Sequence, residues 1–243
     1  MAVAYATEAI VLRSFRTGEA DRVVHLLSPE HGRIAAIAKG ARRTTAKLGA
    51  RLEPLTRIEA VLQPGRGELV VLTGADVLWS GDDVRRDPVR AFAATAGVEA
   101  VVRLFPEPEP DERLFLGLRR FLESLAEPLG GDPRATADAL VLAFALKLLA
   151  LAGWRPEVAA CAGCGGAIEV YDAAAGTGLC AACGAGVPLP ASAALAACRL
   201  LGEPLGAAPV PSPDDRAAIA RLCRVTAEAH GDVRLGLLGR ATA

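Results

Sequence analysis

The sequence predicts an α+β protein: an N-terminal five-stranded barrel, followed by an α-helical domain that contains a four-cysteine insert. Three observations lead to this prediction. Strand-like segments separated by turns fill the first eighty residues, helical periodicity begins at Asp87, and two CxxC pairs lie between residues 161 and 183. We predict a barrel domain over 1–80 and a helical domain over 81–243, with the insert at about 158–187.

The barrel prediction comes from five short segments rich in apolar and β-branched residues. Tight turns at Pro29–Gly32 and Pro64–Gly67 each separate two of them. Five strands within one small domain are typical of a closed barrel, and the oligonucleotide-binding fold is the natural candidate. The predicted strands are Thr7–Phe15, Asp21–Ser28, Arg33–Lys39, Leu55–Gln63 and Glu68–Thr73.

Positive charge is concentrated on one part of this barrel, although the net charge of the chain is only −1. Between Arg33 and Arg57 there are seven cations and one acid, Glu53, and most of the cations fall on the longest connection, Gly40–Glu53. Such a segment indicates either a polyanion-binding face or an ordinary solvated surface. The candidate phosphate-binding residues are Lys39, Arg42, Arg43, Lys47 and Arg51.

Apolar residues recur at helical spacing from Asp87 onward, where Asp87 and Pro88 form a typical N-cap and first helical residue. The third predicted helix is apolar on nearly all sides and is expected to be central. The tail 232–243 is expected to be poorly ordered. The predicted helices cover 87–105, 111–127, 134–151, 190–201 and 214–229.

The insert contains two CxxC pairs with fifteen residues between them: Cys161, Cys164, Cys180 and Cys183. This spacing is typical of a zinc ribbon, in which four thiolates hold one zinc ion per chain in a closed, structural site. The alternatives are a redox dithiol or a disulfide pair. Gly165 and Gly184 follow the two pairs, where a turn with positive φ is easiest for glycine. Cys198 and Cys223 are expected to be core residues of helices.

Composition and motifs limit the classes to which this protein can belong. The chain has 243 residues, of which 52% are hydrophobic, so it can bury a core. The N-terminus lacks a secretory pattern, and the most apolar stretch, Ala139–Trp154, is shorter than the roughly 20 residues that a bilayer requires. We expect a cytoplasmic protein with no membrane association. A non-enzyme is favoured, because the chain has no phosphate loop or GxSxG elbow, and His25, His31 and His230 have no obvious catalytic partner.

Several segments, in order from residue 5 to about 190, resemble the RecO family of bacterial DNA repair proteins. Each segment alone is a weak signal, but together they are specific. They are Thr7–Arg13, Gly18–Val24, Leu26–Leu27, Gly32–Ile34, Ala38–Arg43, Arg51–Leu55, Ala75–Leu78, and Lys147–Pro156 running into Cys161–Gly165.

This resemblance implies a recombination mediator with an oligonucleotide-binding barrel, a helical domain and a zinc-binding insert. Such proteins bind single- and double-stranded DNA, anneal complementary strands, associate with the ring-forming protein RecR, and help RecA replace the single-strand-binding protein. The expected partners are both forms of DNA, RecR, and the acidic C-terminal tail of the single-strand-binding protein, at the nucleoid during repair. Candidate cations for that tail are Arg119, Arg120 and Arg155.

Two alternatives to this function are a zinc-ribbon RNA-binding or RNA-processing protein, and a non-catalytic interaction scaffold whose basic loop binds an acidic protein. Proteins that bind single strands usually stack bases on aromatic residues. This barrel offers only Tyr5, Phe15 and Trp79. DNA binding is therefore expected to be dominated by backbone phosphates and independent of sequence.

Overall fold

The computed structural model of the chain describes residues 4–41, 48–65, 67, 69–207 and 209–238. The described chain forms two compact units. The first comprises Met1–Arg86 with Glu107–Leu122, and the second comprises Asp87–Pro106 with Glu123–Ala243. The two units correspond to a barrel and a helical region that carries the cysteine cluster, so the predicted α+β class is confirmed. The predicted boundary at residue 80 stays a prediction.

The first unit contains a closed five-stranded barrel in the order β1-β2-β3-β5-β4. Neighbouring strands are antiparallel except β3 and β5, which are parallel. The strands are β1 (Tyr5–Thr17), β2 (Asp21–Ser28), β3 (Gly32–Ala38), β4 (Arg57–Gln63) and β5 (Val70–Trp79), and a short helix, α1 (Leu48–Arg51), lies between β3 and β4. The predicted oligonucleotide-binding barrel is thus confirmed.

Strand β1 closes the barrel because it is long enough to pair with two strands. Its N-terminal half pairs with β4 and its C-terminal half with β2, and the two ladders meet at Ile10. A bulge between Val11 and Arg13 bends the strand at this junction. Because of this bulge, the side chains that follow it point to the opposite face of the barrel from the one that simple alternation would give them.

The barrel core follows the alternation of the strands. Ile34, Ala36 and Ala38 of β3 are buried, as are Ile58, Ala60 and Leu62 of β4. Many of these residues are alanine, which suits the limited interior of a five-stranded barrel.

The predicted ends of β1, β4 and β5 differ from the structure by two residues or more. Strand β4 begins at Arg57 rather than Leu55, because Leu55 adopts a left-handed backbone (φ 72°) and donates its amide hydrogen to the carbonyl of Val11 over 2.8 Å. Strand β5 continues to Trp79, beyond the predicted end at Thr73. Gly74 does not end it, because this glycine pairs with Val61 and the valine side chain covers it.

Gly32 is held between the barrel and the segment before α4 (Glu112–Ala126). Its φ is +62°, and an added Cβ would lie 2.0 Å from the carbonyl oxygen of Pro108. We expect Gly32→Ala to lower the free energy of unfolding by at least about 2 kcal/mol, measured by urea denaturation. The reason is that the backbone at Pro108 or at residue 32 would have to move to make room for the added Cβ. Gly18→Ala is the control, because its φ is +51° but nothing lies within 4 Å of the added Cβ. Equal losses for the two variants would contradict the proposed clash.

The second unit is built around α5 (Pro133–Leu151), as predicted for the most apolar helix. Helices α3 (Pro88–Leu104), α6 (Ala191–Gly202) and α7 (Pro213–Gly231) pack against it. A short helix, α2 (Asp82–Arg86), precedes them in the barrel unit and was not predicted. The predicted cap at Asp87 is confirmed: its carboxylate accepts hydrogen bonds from the amides of Val89 and Arg90.

A buried carboxylate joins α5 to α7. Asp138 lies 3.8 Å from Arg134 and 3.9 Å from Arg216, measured between carboxylate oxygen and Nε. Burial raises the pKa of Asp138 to about 6, against the opposing effect of the two guanidinium groups. We interpret this group as a structural ion pair of the helical unit.

The expectation of a poorly ordered tail is wrong for residues 232–238. Leu235 and Leu238 are buried, and the amide of Leu237 donates a hydrogen bond of 2.8 Å to Glu99 of α3. Apolar burial anchors this segment, which has no regular helical pattern to reveal it. None of the helices in the described part of the chain has the length and apolar character of a membrane span.

Candidate metal centre and nucleic-acid interface

The four cysteines of the insert come together in the second unit. Their sulfur atoms all lie within 4.8 Å of one another, and those of Cys164 and Cys180 are 3.8 Å apart. Four thiolates at tetrahedral corners, about 2.3 Å from a zinc ion, would be about 3.8 Å apart. The cluster can therefore hold a metal ion such as zinc.

A small sheet positions the two pairs. Strand β6 (Val170–Asp172) pairs with β7 (Thr177–Leu179) on one side and with β8 (Val187–Pro188) on the other. Cys180 follows β7 directly, and tight turns then bring the second cysteine of each pair next to the first. Gly165 closes the first turn with φ +75° and donates its amide hydrogen to the carbonyl of Cys161 over 2.8 Å. Gly184 does not adopt the positive φ that the sequence suggested.

The electrostatics of the cluster favour a cation. The amide of Cys180 donates to the sulfur of Cys161 over 3.2 Å, and this bond is the largest cause that lowers the pKa of the Cys161 thiol to about 6. The neighbouring thiols, that of Cys180 first, raise the pKa of Cys183 to about 12. Four thiolates this close repel one another, so all four can ionise together only around a positive ion.

The remaining alternatives for these cysteines have less support. All six cysteines of the chain are free thiols, and a sulfur separation of 3.8 Å is far from the roughly 2.05 Å of a disulfide. A redox motif uses two thiols, whereas four thiols converge here. Cys223 is fully buried on α7, as expected, whereas Cys198 on α6 is only half-buried.

The sheet is fastened to α7 by one aromatic residue that the sequence analysis did not single out. Tyr171 of β6 is fully buried, and its hydroxyl lies 2.9 Å from that of Thr226, which is also buried. The only sequence signal for this contact is an isolated tyrosine in a segment rich in glycine and alanine.

The barrel presents a cationic and apolar outer surface on three neighbouring strands. Cross-strand pairs place Arg13 beside His25 and Ala35, and Phe15 beside Val23 and Ile37. We call this surface the β1–β3 face; it consists of Arg13, Phe15, Val23, His25, Arg33, Ala35 and Ile37.

An open groove of about 800 Å³ begins at the edge of the β1–β3 face. Its described lining is Ile37, Lys39, Pro64, Gly65, Gly67, Leu69 and Val71. Ile37 and Val71 pair across β3 and β5, so the groove continues the face along the sheet.

The predicted phosphate-binding residues divide into three cases. Lys39 is exposed beside the groove. Arg51 lies against β5, where its Nη1 donates to Asp76 over 2.9 Å and to the carbonyl of Ala75. The other three predicted residues lie outside the described residues; they are Arg42, Arg43 and Lys47.

Both ends of the basic connection are fastened to the start of β2. Asp21 accepts a 2.7 Å hydrogen bond from the amide of Gly40, and Arg22 forms a 2.9 Å ion pair with Glu53. Glu53 is the last residue of this connection, so its ion pair with Arg22 holds the far end of the connection against β2.

The three histidines have aromatic neighbours. His25 lies edge-on to Phe15 with ring centres 5.8 Å apart, His31 lies 4.4 Å from Tyr5, and His230 stacks on Trp154. Burial lowers the pKa of His25, and the nearby Arg33 and Arg13 lower it further, which favours the neutral imidazole. Two of these aromatic neighbours, Tyr5 and Phe15, are among the three barrel aromatics that the sequence offered for stacking on bases.

Comparison with known proteins finds similarity along most of the chain. Residues 1–80 match the family model described as "Recombination protein O N terminal", and residues 85–236 match "Recombination protein O C terminal". A curated relative is the DNA repair protein RecO of Bifidobacterium animalis subsp. lactis (strain AD011). It is 36% identical over 178 residues, which cover 72% of each chain.

Proposed function

Because this chain belongs to the RecO family of DNA repair and recombination proteins, we propose that it binds single- and double-stranded DNA and anneals complementary strands. We further propose that it helps to load the recombinase onto DNA coated with single-strand-binding protein. The family is one of non-catalytic mediators, in line with the non-enzyme expected from the sequence. The observation that carries the proposal is the match of two consecutive family models to almost the whole chain.

The barrel offers a physical route to annealing. Phosphate groups of two strands repel each other, and cations bound to both lower this repulsion. The proposed contacts are Lys39, Arg42, Arg43, Lys47 and Arg51, with Arg51 the weakest because Asp76 already engages it. Backbone contacts leave the base edges available for pairing.

We expect the protein to accelerate duplex formation from complementary oligonucleotides without nucleotide. Fluorescence transfer between end-labelled strands would measure the rate. The acceleration should decrease steeply as salt rises from about 50 to 200 mM, since counterions compete for the phosphates. A non-complementary pair is the control. Binding of both strands with no gain in annealing rate would contradict the mediator function, and chemical change in an RNA substrate would favour the RNA-processing alternative.

The metal in the cysteine cluster is proposed to be zinc, held by Cys161, Cys164, Cys180 and Cys183. Zinc would supply no catalytic step there, because four protein ligands complete its coordination. Its role would be to hold the β6–β8 sheet together, since metal-binding free energy contributes directly to local folding.

Protein partners are proposed from the family alone: RecR, and the C-terminal tail of the single-strand-binding protein. An acidic tail requires a cation, and Arg120 is exposed on α4. Arg155 is also exposed, although it lies 3.5 Å from Glu157. Arg119 is half-buried, which makes it a weaker candidate. A cytoplasmic location at the nucleoid belongs to the same proposal.

A further inference from the structure

We infer that Phe15 is a stacking position for an unpaired base, which lets the barrel distinguish single-stranded from double-stranded DNA. The inference rests on the proposed function, because it concerns the same DNA-binding barrel. It adds a contact to bases where the sequence analysis expected phosphate contacts alone.

The ring of Phe15 is exposed. Phe15 is 49% exposed near the C-terminal end of β1, in the half that pairs with β2, on the outer surface of the barrel. Its neighbour His25 lies in a T-shaped arrangement with it, with ring centres 5.8 Å apart, which restrains the ring. Aromatic rings held in this way on oligonucleotide-binding barrels are platforms on which bases stack.

Two arginines lie on the same face as the ring. Arg13 lies two residues before Phe15 on β1, and Arg33 lies on β3 of the same face. The two guanidinium groups are close enough to affect each other, since burial and then Arg13 lower the pKa of Arg33, while Glu107 acts in the opposite direction. A phosphate between the two arginines would relieve their repulsion.

The surface between these groups is apolar. Val23, Ala35 and Ile37 are all partly exposed there. A surface with a stacking ring, an apolar floor and cations at its edge fits a base with its own phosphate. Duplex DNA cannot use the ring, because its bases are stacked and paired inside the helix.

The experiment compares binding of a 20-nucleotide oligothymidine and a 20-base-pair duplex by fluorescence anisotropy at one salt concentration. Phe15→Ala should weaken binding of the single strand roughly 5- to 150-fold, the range for loss of one stacked base, and leave duplex binding unchanged. Phe15→Tyr should retain the affinity of the parent, because it keeps the ring. Phe15→Trp should report single-strand binding directly, by quenching of its added fluorescence.

Leu78→Ala is the matched control. Leu78 is 47% exposed, but it lies on β5 seven residues beyond Val71, about 23 Å along the strand. Its replacement should leave both affinities unchanged. If Phe15→Ala lost the same affinity for the single strand and for the duplex, the stacking role would be overturned. Unchanged single-strand affinity in that variant would overturn it too, while leaving the proposed DNA binding intact. Failure of the parent protein to bind either DNA would overturn the proposed function itself.

Discussion

Cys183→Ser is expected to remove the metal and to destabilise the helical unit. The parent protein should contain about one zinc per chain, and the variant close to none, by metal analysis of protein purified without added zinc. Cys183 is exposed, so its replacement removes a ligand without opening a cavity. We expect a loss of at least about 2 kcal/mol, which lowers the Tm by about 4–8 °C in a protein of this size.

The structure indicates which part of the helical unit should lose its stability first in Cys183→Ser. The β6–β8 sheet has few buried side chains, and Tyr171 fastens it to α7. Limited proteolysis of the variant should therefore cut within residues 157–188 before any other part of the helical unit. Cys198→Ser is the control, since Cys198 is half-buried on α6 and outside the cluster. A parent protein with four reactive thiols and no zinc would refute the metal site.

The combined replacement of Arg42, Arg43 and Lys47 by alanine is expected to give the largest loss of DNA affinity. Each cation that contacts one phosphate releases a counterion, so the slope of log K against log salt should decrease by about two for single strands and nearly three for duplexes. The loss should be the same for all base sequences, because phosphates carry no sequence information.

A charge-conserving triple variant provides the control for this prediction. Arg42→Lys, Arg43→Lys and Lys47→Arg together keep the charge and should keep the slope. Arg51→Ala should have a smaller effect than the alanine triple, because Arg51 already pairs with Asp76. An unchanged slope in a folded alanine triple would place the phosphate contacts elsewhere on the barrel.

Local patterns were sufficient to predict most secondary structure. Alternation in β3 and β4, the capping residue of α3, and the apolar length of α5 are signals carried by neighbouring residues. Elements without such a signal were missed: α1 and α2 are one turn long, and β6–β8 contain two or three residues each. The tail from Asp232 to Leu238 was missed because its leucines pack without periodicity.

The sequence by itself determined the family, the barrel, the helical region and the four metal-binding candidates, because spacing along the chain encodes each of them. Only the tertiary structure decided which side chains share a surface. The bulge after Val11 sends Phe15 and Arg13 to the outer face beside His25, and a shift of one residue would have turned them inward. Asp76 likewise reaches Arg51 from another strand. Such contacts depend on strand register and barrel closure, which no local pattern of residues contains.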